Sequence, residues 1–224
     1  MYDAPHVQAA NDALWAEIRR ALPFEAPARL TRSENLMEDW RAPDLLLSQT
    51  CGLIFTRHLS EVVCYVATPD HGVPGCPPGH YFSALVHRIG EDPSQGARLA
   101  YNDADSQSGW GAAQGYGFLP TLQTGAHALS LAAVADGHAD VALIDRHTLF
   151  LVGLPDGLTV RETTTPTPAP PLITSRAEWI APLRAALTSA MDTIDEVHRA
   201  ALNLTGFPVL NEAQYFDVPE PPAL

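Results

Sequence analysis

Short apolar runs alternate with segments of helical periodicity along most of this 224-residue chain. Residues 44–48, 62–68, 81–88, 97–102 and 141–144 have the pattern of buried strands, and residues 5–22 and 126–135 have the pattern of helices. This alternation favours an α/β fold with largely parallel sheets, because a crossover helix returns the chain to the same end of the sheet.

A connector with four prolines, residues 164–171, interrupts the alternation, and only helical patterns follow it. Those helices have no strands of their own, so we expect them to pack on the first part of the chain. The sequence therefore predicts two lobes, residues 1–82 with 172–224 and residues 83–171, joined by two crossing segments. Ligands of open α/β sheets bind beyond the carboxyl ends of the strands, which predicts a site in the cleft between the lobes.

The composition limits the classes of function. Hydrophobic residues make up 46% of the chain, which is enough for a sizeable core, and the formal net charge is -13. Such an acidic chain cannot neutralise a run of phosphates, so we expect no nucleic-acid partner. No apolar stretch reaches the length of a membrane span. The first residues lack the pattern of a signal peptide, which leaves a cytoplasmic protein and a trimmed or late-started exported one as alternatives.

The stretch Asn102–Gly109, sequence NDADSQSG, carries the clearest sign of a ligand site. It follows a predicted strand and precedes a predicted helix over residues 110–119. The first N–H groups of a helix lack partners and attract anions, and the hydroxyls of Ser106 and Ser108 would add donors. Gly109 would let a ligand approach the backbone. The alternative is an ordinary helix N-cap that binds nothing.

Polar residues also follow the other predicted strands. Gln49 and Thr50 come after residues 44–48, His127 opens the helix at 126–135, and Asp145 follows 141–144. All could face one cleft with Ser106 and Ser108. Each also has a simpler interpretation: Asp145 as an N-cap, His127 as a histidine with local partners, and Gln49 and Thr50 as loop residues that satisfy backbone groups.

The cysteine and histidine patterns predict little chemistry. Cys51 and Cys76 could form one disulfide in an oxidising compartment, or both could stay thiols, and Cys64 lies in a predicted buried strand. No CxxC pair is present, and the loop with His71, Cys76 and His80 offers no fourth ligand, so we expect no metal site. The Gly-x-Ser-x-Gly elbow of acyl hydrolases fits neither Ser106 nor Ser108. The sequence therefore predicts no catalytic residue and no cofactor.

Four segments in this order, DLLLSQTCG, YNDADSQSG, TGAHALSLAAVADGHADVALID and PLITS, resemble the phosphate/phosphonate-type periplasmic solute-binding proteins of ABC transporters. The resemblance covers about residues 1–216. It implies the type II periplasmic-binding fold, with two lobes and a two-segment hinge. It also implies a periplasmic location, an ABC permease as partner, a monomer, and a small anionic ligand of the phosphonate or phosphate class.

The resemblance further implies roles for eight residues. Ser106, Gln107 and Ser108 match the turn that holds the phosphonate, and His127 matches a histidine of the cleft. Asp145 looks like the carboxylate of the second lobe that can pair with a ligand amine. Tyr81 is similar to an aromatic residue that closes over the ligand, and Gln49 and Thr50 match the loop of the first lobe that faces it.

Two other functions stay open at this point. The same fold hosts enzymes of cofactor and menaquinone-precursor biosynthesis, in which His127 and Asp145 would act as acid and base. A ligand-sensing domain of a regulator is the weaker alternative, because no helix-turn-helix precedes the domain in this sequence.

Overall fold

A computed structural model describes residues 2–221 and residue 224. The helices are α1 (Gln8–Ala21), α2 (Leu36–Trp40), α3 (Gly52–Ile54), α4 (His127–Ala135), α5 (Arg146–Val152), α6 (Ile180–Thr193), α7 (Glu196–Ala201) and α8 (Ala213–Phe216). Single 3₁₀ turns cover Pro5–Val7, Gly111–Ala113 and Ala177–Trp179, and a π-helical turn, Phe55–Leu59, continues α3.

The strands are β1 (Ser48–Gln49), β2 (Cys64–Ala67), β3 (His80–Tyr81), β4 (Ser83–Arg88), β5 (Arg98–Tyr101), β6 (Leu119–Gln123), β7 (Val141–Asp145), β8 (Leu158–Thr163), β9 (Thr167–Pro168) and β10 (Leu172–Thr174). They form a three-stranded sheet in the order β1-β10-β2, a two-stranded sheet of β3 and β9, and a five-stranded sheet in the order β6-β5-β7-β4-β8.

The chain divides into two compact units. Unit 1 comprises Met1–Gly79 and Pro168–Phe216, and unit 2 comprises His80–Thr167 and Asp217–Leu224. The crossings between the units fall at residues 79–80 and 167–168.

Unit 1 is built on the three-stranded sheet. β10 runs antiparallel to both β1 and β2. Helices α1 and α6 pack together, and their apolar residues, among them Trp15 and Leu187, form one core cluster with residues of β2 and β10. A second cluster contains Phe55, Ile173 and Tyr215. The predicted strand over residues 44–48 is largely wrong, since only Ser48–Gln49 pairs, as β1.

Unit 2 is built on the five-stranded sheet, which is mixed. β5 runs parallel to β6 and β7, as expected, but β4 runs antiparallel to β7 and β8. The reason is connectivity: β4 leads the chain into the unit and β8 leads it out. Alternate residues of the central strands enter two different cores. Ala142 and Ile144 pack in the cluster that includes α4, whereas Val141 and Leu143 pack with Trp110 and Phe118.

Candidate functional site

Strand order in unit 2 gathers the polar segments at one edge of the sheet. Because β6, β5 and β7 are parallel neighbours, their carboxyl ends lie at the same edge. The residues at or beyond these ends are Thr124, Asn102 and Asp145. β4 runs the opposite way, so its first residue, Ser83, pairs with Asp145 at this edge.

The segment that follows β5 is a loop, and the predicted helix over residues 110–119 is wrong. Only Gly111–Ala113 forms a 3₁₀ turn, and β6 begins already at Leu119. Glycines explain the difference: Gly115 and Gly117 adopt positive φ values of 89° and 71°, which a helix does not allow. Ser106–Ser108 therefore do not cap a helix. They are nevertheless buried, with exposed fractions of 4%, 5% and 8%.

Gly109 is required by close packing within this loop. A Cβ atom built on Gly109 would lie 2.1 Å from Asn102 Oδ1 and 3.0 Å from Ser106 Oγ. The Gly109 N–H donates to Ser106 Oγ at 3.0 Å. Asn102 Oδ1 is itself buried and has no hydrogen-bond partner among the residues described. The glycine thus lets the loop fold back on the end of β5.

Two residues that sequence reasoning missed, Ser83 and Thr167, contact the loop directly, and a third, Thr164, contacts Ser83. Ser83 Oγ donates to the carbonyl of Ser108 at 2.8 Å, and the Ser83 N–H donates to Thr164 Oγ1 at 3.0 Å. Gln107 Nε2 donates to Thr167 Oγ1 at 2.9 Å. The loop is therefore anchored to the residues that begin β4 and that follow β8. Ser83 lay inside the predicted strand over residues 81–88, and the strand pattern did not mark it as a contact of the loop.

His127 is the first residue of α4, and its ring meets the loop. His127 Nε2 lies 2.8 Å from Ser108 Oγ and 3.5 Å from Asp145 Oδ2. The other ring nitrogen, Nδ1, is buried without a hydrogen-bond partner in the part of the chain that the structure describes. Burial lowers the pKa of His127, and this effect outweighs the opposite effect of the nearby Asp145 carboxylate. The ring is therefore neutral at pH 7.

Asp145 caps α5, as its simpler interpretation predicts. Asp145 Oδ1 accepts the Thr148 N–H at 2.8 Å, and Oδ2 accepts the Thr148 hydroxyl at 2.5 Å. The residue is 1% exposed. Both oxygens thus accept hydrogen bonds from α5, and Oδ2 also faces His127. The role in binding a ligand amine stays a prediction.

The cluster of Ser108, His127 and Asp145 is not a hydrolase triad. In such a triad the serine and the carboxylate contact opposite nitrogens of the histidine, so that the carboxylate fixes the tautomer that accepts the serine proton. Here both groups face Nε2, and Nδ1 contacts neither. An Nε2 that carries its proton towards Asp145 cannot serve as a base for Ser108.

The remaining predicted ligand residues are Gln49, Thr50 and Tyr81. Gln49 and Thr50 belong to unit 1, where Gln49 Nε2 donates to the Pro170 carbonyl at 3.3 Å. Thr50 is fully buried, and its Oγ1 has no hydrogen-bond partner among residues 2–221 and 224. Tyr81, in β3, is 3% exposed. The roles of these three residues towards a ligand stay predictions.

Cys51 and Cys76 form no disulfide in the structure, and whether they pair in an oxidising compartment stays a prediction. Cys64, expected in the core, is only partly buried because it is the first residue of β2. Across the described ranges, no group of three or more His, Cys, Asp or Glu side chains is placed to hold a metal ion. No described helix is both long and apolar enough to cross a bilayer.

Of the comparisons with known proteins, only the one with solved structures gives matches. No protein-family model matches it, and no curated protein sequence matches it. Among solved structures, a binding protein component of an ABC phosphonate transporter from Pseudomonas aeruginosa is similar. That match has a TM-score of 0.75 and 14% identity and covers 96% of this chain and 80% of the other.

Two further structures extend the similarity. PhnD1 from Prochlorococcus marinus, in complex with methylphosphonate, has a TM-score of 0.73 and 14% identity over 96% of this chain and 92% of that one. The arginine-, lysine-, histidine-binding protein ArtJ from Geobacillus stearothermophilus has a TM-score of 0.58 and 12% identity over 86% and 83% of the two chains. At these identities the similarity establishes the fold: this chain has the two-lobed type II periplasmic-binding fold, as predicted.

Proposed function

We propose that this protein is the solute-binding component of an ABC-type uptake system and that it binds a small oxyanion of the phosphonate or phosphate class. The anion would lie at the edge of the unit 2 sheet formed by Ser106, Ser108 and the start of α4. The protein would act in the periplasm and deliver its ligand to a permease. It would bind the ligand without transforming it.

One observation carries this proposal: buried polar groups from separate segments of unit 2 converge at the carboxyl ends of three parallel strands. Ser108 Oγ and His127 Nε2 are 2.8 Å apart although 19 residues separate them in the chain. α4 begins here without a side-chain cap, so its first N–H groups keep their attraction for an anion. Ser108 and His127 satisfy one another, but Asn102 Oδ1 and His127 Nδ1 at the same edge are buried without a hydrogen-bond partner among the described residues, and such groups are uncommon unless something binds them.

The acidic net charge does not oppose anion binding. Hydroxyls and amides that are fixed in position bind an anion through local dipoles, and in a dry site these dipoles count for more than distant surface charges. The overall charge of -13 would instead slow the approach of an anion, and added salt would weaken this repulsion.

The ligand class rests on the loop more than on the fold. Two of the similar structures are a phosphonate-transporter component and a methylphosphonate complex, but another binds basic amino acids. The fold thus serves chemically different ligands. The serine-rich loop Ser106–Ser108 and the neutral His127 favour an oxyanion among these alternatives.

Calorimetric titration of the purified protein with methylphosphonate and with inorganic phosphate tests the proposal. We expect saturable binding of at least one of them, and we expect Ser108→Ala to weaken it by about 1–3 kcal/mol because a hydrogen-bond donor to a charged group is lost. Ser94→Ala, an exposed serine elsewhere in unit 2, is the control and should bind like the wild type.

Two results would contradict the proposal. One is the absence of binding for both anions in a protein that unfolds cooperatively. The other is unchanged affinity in Ser108→Ala. Release of a different small molecule on denaturation of the freshly purified protein, identified by mass spectrometry, would redirect the ligand class.

A further inference from the structure

Helix α4 is apolar on both of its faces. Inward, Leu131 and Val134 pack in the core of unit 2. Outward, the exposed residues are all apolar: Ala128, Leu129, Ala132 and Ala135. The one hydroxyl residue of the helix, Ser130, is fully buried. Helix α1, by contrast, exposes charged residues, among them Asp12, Arg19 and Arg20. A surface helix ordinarily turns polar residues to water, so the outer face of α4 is suited to meet another surface.

Helix α5 extends this apolar face. It lies beside α4 on the same side of the sheet, and Leu149 of α5 packs in the same core cluster as Leu131 of α4. The exposed fractions of four large apolar side chains are 56% for Leu129, 47% for Phe150, 43% for Val152 and 41% for Leu154. We call the surface formed by Leu129, Ala132, Ala135, Phe150, Val152 and Leu154 the α4–α5 face. An exposed apolar patch that spans two elements marks an interaction surface.

Two opposite charges flank the α4–α5 face at opposite ends. Asp136 directly follows α4, and Arg146 is the first residue of α5. Both are exposed, and neither side chain forms an ion pair with the residues that the structure describes. α4 starts at the carboxyl-end edge of the parallel strands and ends near the opposite edge, whereas α5 starts at the carboxyl end of β7. The carboxylate and the guanidinium are therefore separated by about the length of α4, roughly 14 Å for its 9 residues.

This arrangement of charges is self-complementary. A two-fold axis perpendicular to the α4–α5 face would set the two copies of α4 antiparallel, and each Asp136 would then meet the partner's Arg146. Any other partner would have to supply the same pair of charges at the same spacing, whereas a second copy supplies them by symmetry. The short side chains of Ala132 and Ala135 would let the two helices approach closely.

We propose that the α4–α5 face is the interface of a homodimer with two-fold symmetry. The inference goes beyond the proposed function and does not depend on the ligand, and it departs from the monomer that the family resemblance implies. At the net charge of -13, an uncharged contact surface lets two copies meet without placing like charges together. The face is at the small end of specific protein interfaces, which predicts a dimer that dissociates in the micromolar range.

Sedimentation velocity of the full chain over the micromolar concentration range tests the interface. We expect the wild type to shift from monomer to dimer as the concentration rises. Ala132→Glu places a carboxylate from each copy at the centre of the contact, and we expect it to weaken the dimer at least about tenfold. Ala185→Glu makes the same change at an exposed position of α6, in unit 1, and should dimerise like the wild type. Cooperative urea unfolding of both variants would show that they fold.

Charge reversal tests the two-fold arrangement. Asp136→Arg and Arg146→Asp each place like charges together across the interface, and we expect each to weaken the dimer about tenfold at low salt. The double variant brings opposite charges together again, so we expect its dimer to be as tight as that of the wild type.

Three results would overturn the proposal. The first is a wild type that stays monomeric at every concentration, which would leave the α4–α5 face for a different protein. The second is an Ala132→Glu variant that dimerises like the wild type. The third is a double variant that dimerises no better than the single ones. None of these results bears on the proposed function, which the titration with methylphosphonate and phosphate tests separately.

Discussion

β5 and β7 are parallel neighbours in unit 2, yet the chain continues from their carboxyl ends in two different ways. After β7 a single residue, Asp145, caps α5, which begins at once. After β5 the chain forms a loop of eight residues, 102–109, of which the last four are buried, and no α-helix follows before β6. Both ends carry polar side chains, and the sequence alone predicts a helix N-terminus at each.

The difference shows where polar groups are left for a ligand. At β7 the cap uses both oxygens of Asp145, so this strand end is occupied by its own helix. At β5 there is no helix to cap, and Ser108 meets His127 instead. Under the proposed function the loop end is the one that binds the anion, and Asp145 of the capped end lies against the ring of His127.

A substitution at Gly109 changes the conformation of the loop end most directly. Gly109→Ala would place a Cβ atom 2.1 Å from Asn102 Oδ1, so the Asn102 side chain or the loop would have to shift. We expect a loss of about 1–3 kcal/mol in the free energy of unfolding, measured by urea denaturation, together with loss of anion binding. Gly206→Ala is the control, since a Cβ there meets nothing within 4 Å. Equal stability of the two variants would show that the loop has room.

The capped end, where Asp145 begins α5, is tested with two substitutions of Asp145. They differ in whether an oxygen remains to accept the Thr148 N–H. Asp145→Ala removes the cap of α5, whereas Asp145→Asn keeps an oxygen for the Thr148 N–H. We expect Asp145→Ala to be less stable than Asp145→Asn by about 1 kcal/mol in thermal or urea unfolding, the usual value of an N-cap. Equal stability would mean that the cap contributes little and that the carboxylate is kept for another purpose.

Sequence patterns could predict the edge of the sheet but not the conformation of the loop. The alternation of apolar runs with polar strand ends correctly placed Ser108, His127 and Asp145 near one another. The helix expected over residues 110–119 was wrong because Gly115 and Gly117 adopt positive φ values, and Trp110 and Phe118 reach the core without a helix. Glycines at 115 and 117, which the pattern also contained, were the better signal.

Other parts of the site depend on tertiary contacts that leave no local trace. Ser83 contacts the Ser108 carbonyl across 25 residues, and Gln107 contacts Thr167 across 60. The close approach of Asn102 to Gly109 depends on how the loop folds back. The antiparallel β4 follows from the path of the chain between the units, which strand patterns alone do not specify. These features are set by packing, and sequence periodicity does not report them.

The smallest expected effect concerns the pH dependence of stability at His127. Burial lowers its pKa below the ordinary value of 6.5, so the unfolded chain takes up a proton more readily than the folded one. The resulting stabilisation is present above pH 6.5 and decreases as the pH falls through that value.

We therefore expect His127→Gln to lose less stability than the wild type between pH 8 and pH 5, measured by urea denaturation. His138→Gln, an exposed histidine in the same unit, is the control and should keep the slope of the wild type. If His127→Gln and the wild type show the same slope, the ring of His127 takes up its proton in the folded protein, and the neutral histidine that distinguishes the loop end from the capped end is not present.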